Sequence, residues 1–224
     1  MSIRAPRYRR PKNIWWDEEF EASLEIQLDD LSQPFDWESI FGNSNPVQVE
    51  IGFGKGRFIL ESAERHPDQN YFGIEWAGAC VGVARERLAK KQIGNARLMR
   101  ADAKEVIQSY ILPNSVLACH LYFPDPWPKK RHHKRRMVSE ELVASLFTSL
   151  KPDGEFRFFT DHREYFASTS PIVDDHPESE RLPSPNPDDP LYVITNYEAK
   201  WRGEKREIDR GRWARRVVMS GDQT

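Results

Sequence analysis

Between Val47 and Asp161 the chain alternates short apolar runs with segments of helical periodicity, and this alternation limits the fold more than any other feature. VQVEIGF (47–53), NYFGIE (70–75), ARLMRA (96–101), SVLACHLYF (115–123) and EFRFFTD (155–161) have the length and the β-branched and aromatic content of strands. The intervening segments read as helices. RFILESAERH (57–66) ends at Pro67, AGACVGVARERLAKK (77–91) puts Val81, Ala84 and Leu88 on one face, and Val106 and Ile107 follow Asp102. Ser139 precedes Glu140 and Glu141 and then Leu142, Val143, Leu146, Phe147 and Leu150, which is a capped helix with an acidic first turn. Lys151-Pro152-Asp153-Gly154 turns that helix into the fifth strand. The fourth run is apolar throughout, as a strand covered on both faces must be. Such alternation predicts an α/β fold with a doubly wound parallel sheet, whose ligands bind at the carboxyl ends of the strands.

The flanks differ in kind. Residues 1–12 carry five Arg or Lys and no acid, and read as a basic arm; residues 13–45 carry nine acids and no Arg or Lys. Trp15, Trp16, Phe20, Phe35 and Trp37 give that acidic stretch enough aromatic surface to pack as a lead-in, so residues 1–45 are expected to form an N-terminal extension and residues 46–219 the main domain. Residues 170–191, with six prolines and six acids against one arginine, read as a solvated loop or excursion. Thr195-Asn196-Tyr197-Glu198 opens a last helix, and RWARRVVM (212–219) reads as a closing strand.

The net charge of −2 hides a segregation that bears on partners. Six Lys or Arg and two His occupy Lys129 to Arg136, and eight more basic residues fall between Lys200 and Arg216. Six cations in eight residues beside a strand end point to phosphate contacts. The two cysteines, Cys80 and Cys119, lie in apolar segments without metal or redox spacing and are expected as reduced core residues. His132 and His133 are adjacent and lack further ligand-spaced partners, so no metal is expected. No apolar run has the length of a membrane helix and no signal-peptide pattern is seen, so the expected compartment is the cytoplasm.

Glu50, Glu75, Asp102 and Asp125 lie on or just past the ends of strands one to four. Gly52, Gly54 and Gly56 follow the first strand as Gly-x-Gly-x-Gly, without the spacing of a dinucleotide fingerprint, and a set of carboxylates suits a pyrophosphate poorly. It suits a ligand with hydroxyls, an amine and a positive centre, and S-adenosylmethionine has all three. Glu75 is then a partner for the ribose hydroxyls, Asp102 for the adenine amine and Glu50 for the amino-acid end.

VEIGFGKG, GIE at 73–75, Asp102-Ala103, YFPDPWPKKRHHKRR, Thr160-Asp161 and TNYE at 195–198 together resemble the bacterial tRNA (guanine-N7)-methyltransferase family over roughly residues 46–218, most specifically at Asp125-Pro126-Trp127-Pro128-Lys129. The resemblance implies a Rossmann-like class I S-adenosylmethionine-dependent methyltransferase, with a seven-stranded, mainly parallel sheet and an antiparallel last strand. The substrate it implies is the variable-loop guanine, position 46, of tRNA. It puts cofactor contacts on Glu50, Glu75, Asp102 and Asp125, to which the strand, turn and helix context of the glycine motif adds Gly52, Gly54 and Gly56, and substrate contacts on Lys129, Asp161, Thr195, Asn196, Tyr197 and Glu198. Lys130, Arg131, His132, His133, Lys134, Arg135 and Arg136 become the RNA-contacting run. Two departures stand out: Asp153 where methyltransferases often carry a second glycine, and the acidic, proline-rich 170–191 segment.

Guanine N7 carries an in-plane lone pair, so methylation there needs no strong general base, in keeping with the lack of a base and nucleophile pair in the chain. Asp125, bracketed by prolines that limit its freedom, is the candidate catalytic carboxylate. Trp127 suits either base stacking or plugging of its loop, and Thr195 with Glu198 also has the form of a helix capping box. Three other readings stay open: methylation of an exocyclic amine, for which Asp-Pro-Trp is a partial motif; a non-catalytic RNA-binding protein; and a dinucleotide oxidoreductase.

Overall fold

The computed structural model describes residues 17–31, 33–188 and 192–216. The basic arm 1–12, Trp15, Trp16 and the end of the closing strand, 217–219, lie outside the described residues.

The lead-in packs. Asp17 caps α1 (Glu18–Ser23) by accepting the Glu19 and Phe20 N–H groups at 2.9 and 3.0 Å. Leu24 is fully buried, β1 (Glu25–Ile26) joins the sheet, and α2 (Trp37–Phe41) ends at left-handed Gly42. The alternation then follows: β2 (Val47–Ile51), α3 (Arg57–Arg65), β3 (Asn70–Glu75), α4 (Gly78–Lys90), β4 (Ala96–Arg100), α5 (Ala103–Ser109), β5 (Val116–Tyr122), α6 (Glu140–Ser149) and β6 (Leu150–Thr160). The chain closes with α7 (Arg163–Asp174), β7 (Ser179–Arg181), α8 (Asn196–Gly203) and β8 (Asp209–Arg215).

Among the described residues the sheet has eight strands, not seven, in the order β1-β4-β3-β2-β5-β6-β8-β7. The additional strand is β1, which pairs in parallel with β4 through Glu25↔Leu98 and Ile26↔Met99 and covers what would be an open edge. Two residues carry no readable period, so the sequence offers no sign of it. As expected, β8 runs antiparallel to its neighbours β6 and β7. Strand order reverses between β2 and its two neighbours, β3 and β5, and the crevice beyond the carboxyl ends of β2 and β5 is the switch point.

Alternation along β2 sends Val47, Val49 and Ile51 into one core layer with Val106, Leu146, Phe158 and Tyr165. The opposite layer is built from Phe53, Phe58, Ile59, Val81, Leu88 and Leu98 under α3 and α4. On that side the sheet also buries a polar row. His120 has no exposed surface and shares hydrogen bonds with the Gln48 carboxamide oxygen at 2.6 Å and the Tyr122 hydroxyl at 2.8 Å. Burial holds its imidazole well below the usual range, so it is neutral.

Two local readings are corrected. Residues 170–191 are not one loop: α7 runs through Pro171 to Asp174, and β7 follows at Ser179–Arg181. Tyr165, Thr169 and Val173 are all buried at helical spacing, and that packing outweighs the breaker character of Pro171. Lys151–Gly154 bulges out of β6, since Leu150 pairs with Val116 and Glu155 with Ala118. Asp153 takes φ +60° there, a left-handed conformation that Asp tolerates better than most residues. A Cβ on Gly154 would lie 2.9 Å from the Lys151 carbonyl oxygen.

Candidate functional site

At the end of β2 the chain reverses through Gly52, Gly54 and Gly56, with φ of +70°, +55° and +69°. Only glycine takes these values without strain. A Cβ on Gly56 would also meet the Ala84 Cβ at 2.7 Å, so the third glycine lets α3 and α4 approach. The turn is fixed to the neighbouring strand by Glu75, whose carboxylate accepts the Gly54 N–H at 3.0 Å and the Ala77 N–H at 2.8 Å. Two backbone donors leave that carboxylate with free lone pairs facing the crevice.

Glu50 is 4% exposed, and its Oε2 has no protein partner. Desolvation, then repulsion from Glu75, pushes its carboxyl up to about 8, although the Ile59 N–H at the start of α3 works against the shift. A buried carboxyl with an unpartnered oxygen and, among the described residues, no ion pair is a costly arrangement unless a donor or a cation is bound there. Asp102 caps α5 through the Lys104 N–H at 2.8 Å and is otherwise exposed.

β5 hands over to a loop containing Pro124, Pro126 and Pro128, with exposed Asp125 between the first two. Two non-glycine residues of this loop are left-handed, Phe123 at +52° and Trp127 at +43°. Lys129 opens a 3-10 turn, Lys130–Arg135, which presents Lys130, Arg131, Lys134 and Arg135 to solvent and half-buries His132 and His133. The Arg135 guanidinium lies 4.9 Å from the centre of the Trp127 ring. Arg136 is different, being 7% exposed and hydrogen-bonded to Pro126, Glu164, Ser168 and His133.

The far wall is α8. Thr195 Oγ1 accepts the Glu198 N–H at 3.0 Å, the first half of the expected capping box. The second half is replaced, because the Glu198 carboxylate, fully buried, accepts from Arg202 and Arg210 at 2.7 Å each and from the Tyr192 hydroxyl at 2.9 Å. Asp161 is likewise engaged, with Arg206 at 3.1 Å.

These elements enclose two adjoining hollows. The larger, of about 420 Å³, brings together Gly52, Gly54, Glu75, Asp102, Asp125 and Tyr197, with Arg135 and Trp127 at its basic end. The smaller, of about 250 Å³, is lined by Glu50, Gly52, Gly54, Thr195, Asn196 and Tyr197. Gly56, Lys129, Asp161, Glu198, Arg136 and the cations from Lys130 to Lys134 line neither hollow. Several lining residues went unread in the sequence. Trp76, 72% exposed and directly after Glu75, carried the signal of a large apolar residue at a strand end. Cys80, Tyr122 and Lys200 carried none, since each follows ordinary helix or strand periodicity.

The donor set suits the cofactor expected from the sequence. The unpartnered Glu50 oxygen suits an ammonium group, and Lys55, Arg57 and Lys200 across the smaller hollow suit a carboxylate, the two charged groups of an amino-acid end. Glu75 retains acceptor capacity for hydroxyls in the larger hollow, whose volume is in the range of small-molecule sites.

A family described as "Putative methyltransferase" matches residues 44–210. The tRNA (guanine-N(7)-)-methyltransferase of Actinobacillus pleuropneumoniae serotype 5b (strain L20) is 44% identical over 144 residues, which span 62% of this chain and 56% of that protein. The protein of the same name from Alkalilimnicola ehrlichii is 36% identical over 191 residues, 85% of this chain and 75% of its own length. Among solved structures, the 16S rRNA methyltransferase KamB superposes with a TM-score of 0.57 at 12% identity, covering 81% of this chain and 93% of KamB. That likeness concerns the fold alone.

Proposed function

This chain belongs to the tRNA (guanine-N(7)-)-methyltransferase family, and we propose that it transfers a methyl group from S-adenosylmethionine to N7 of the variable-loop guanine of tRNA. The observation that carries this reading is the position of Asp125, an exposed carboxylate where an acid-lined hollow meets a basic loop.

The cofactor supplies an electrophilic methyl group on a sulfonium. What the chain must add is placement, since bringing two reactants into line is worth up to about 7–11 kcal/mol. Glu50 receives the ammonium of the amino-acid end, Lys55, Arg57 and Lys200 its carboxylate, Glu75 the ribose hydroxyls and Asp102 the adenine amine. The Gly52 and Gly54 backbone allows the ligand to approach closely, while Gly56 lets α3 and α4 pack behind it. Asp125 accepts from the N–H groups of the guanine and offsets the positive charge that develops on the purine. Thr195, Asn196 and Tyr197 close over the site from α8. Glu198 and Asp161, both engaged with arginines, serve by holding α8 and its flank in place. Burial, with Glu75 nearby, raises the Cys80 thiol, so it stays protonated and does not compete for the methyl group.

Lys129, Lys130, Arg131, Lys134 and Arg135 meet tRNA phosphates, with His132 and His133 beside them. The place of action is the cytoplasm, in keeping with a tRNA substrate and two free cysteines; among the described residues no helix is long and apolar enough to cross a membrane. Nucleoside analysis of tRNA incubated with the protein and S-adenosylmethionine tests the reading. 7-Methylguanosine is the expected product, and an N-methylated exocyclic amine would replace this function with the alternative.

A further inference from the structure

The Asp125 loop cannot secure itself. Pro124, Pro126 and Pro128 have no backbone N–H, so from Pro124 to Pro128 only Asp125 and Trp127 carry donors. The left-handed Phe123 and Trp127 add strain on both sides of Asp125, and strain of this kind persists only where the surroundings over-determine the backbone. One end is held, because the Phe123 N–H donates to the Phe159 carbonyl at 2.8 Å. The middle must be held through its carbonyl groups.

Arg136 does this. Its Nε–H donates to the Pro126 carbonyl at 2.9 Å, Nη1 to Ser168 Oγ at 3.0 Å and Glu164 Oε1 at 3.2 Å, and Nη2 to Glu164 Oε2 at 2.5 Å, with His133 Nε2 at 3.1 Å. A guanidinium has five N–H donors, and these are five acceptors. The same group lies 4.7 Å from the centre of the Tyr165 ring. Glu164, Tyr165 and Ser168 all belong to α7, so one side chain ties the residue after Asp125 to a packed helix. We infer that Arg136, although it ends the basic run, is not a phosphate contact but a positioning residue that fixes Asp125 against α7. The inference rests on the reading of Asp125 as the group that meets the guanine.

The test compares Arg136→Gln with Arg131→Gln, since Arg131 is exposed and, among the described residues, its side chain is hydrogen-bonded to its neighbour His132 alone. For Arg136→Gln, kcat for tRNA methylation falls about a hundredfold, as misplacement of a reacting group does, with KM for tRNA little changed. The salt slope of tRNA binding stays at the parent value, and amide exchange over residues 123–135 accelerates about tenfold. For Arg131→Gln the exchange is unchanged and the salt slope falls by about 1. Arg136→Lys, which keeps the charge but not the fork, recovers little of kcat. Should Arg136→Gln fold poorly, Glu164→Gln combined with Ser168→Ala keeps Arg136 and loosens its anchor, and gives the same changes at smaller size. A reduced salt slope with kcat retained, or unchanged exchange over 123–135, overturns the inference. If the parent protein forms no 7-methylguanosine the functional reading falls, and the exchange comparison still decides the clamp.

Discussion

Two loops leave the carboxyl ends of adjacent strands, paired through Ile51↔Leu121, and both turn through left-handed backbone by opposite chemistry. The loop after β2 uses three glycines whose N–H groups all find acceptors, Gly56 within the loop at Phe53 and Gly52 and Gly54 on the adjoining β3 at Ile74 and Glu75. The loop after β5 uses Phe123 and Trp127, strips itself of donors with three prolines, and is held by an arginine ten residues on. A turn built from glycine carries its geometry in its own residues. A turn built from prolines and aromatic residues is rigid only on loan from its surroundings, but it can place a single carboxylate at a fixed point between cofactor and substrate.

The largest effect expected from disturbing this contrast is at Asp125. Asp125→Ala should cost about 10²–10³-fold in kcat, read by transfer of labelled methyl to tRNA, while tRNA affinity stays within about twofold. Turnover within a fewfold of the parent would shift the chemistry back to the glycine side. Next comes Glu50 on that side. Its folded carboxyl titrates near 8, well above its unfolded value of 4.5, so the folded state binds more protons between those limits. Stability of the ligand-free protein therefore falls as pH rises from about 4.5 to about 8, and levels off above. Glu50→Gln should flatten this slope, adding about 2–4 kcal/mol at pH 8 and nothing near pH 4.5, measured by urea unfolding at the two pH values. It should also weaken S-adenosylmethionine binding.

Gly56→Ala should destabilise by about 2 kcal/mol, from a forced left-handed alanine and its contact with Ala84. Gly54→Ala, with open space around the Cβ position, should cost about 1 kcal/mol. Equal losses in urea unfolding would mean that backbone conformation alone, and not the approach of α3 to α4, requires the third glycine. The smallest effect belongs to Lys134→Gln on the exposed turn, a fall of about 1 in the salt slope of tRNA binding with kcat at saturation unchanged.

Much of the site was legible because its signals are local. Acids at four successive strand ends converge on one edge of any parallel sheet, and the glycine turn announces its own backbone. What the sequence could not separate were residues of like type with unlike partners. Arg135 and Arg136 are neighbours, yet one covers Trp127 at the hollow and the other is sealed against α7. Glu198 reads as a capping or binding acid, and its burial among Arg202, Arg210 and Tyr192 depends on β8 and the segment before α8. Residues 170–191 misled because composition counts prolines, whereas the helix there is held by buried Tyr165, Thr169 and Val173.

By itself the sequence determined the alternation of strands and helices, the edge that bears the ligands and the left-handed glycine turn, because side-chain period and glycine's freedom act within a few residues. Only the tertiary structure decided the eighth strand, the two-hollow shape of the site and the division of the basic run into a presented part and an anchor. Those depend on partners such as Glu164, twenty-eight residues from Arg136, and contacts at that separation leave no periodic trace in the chain.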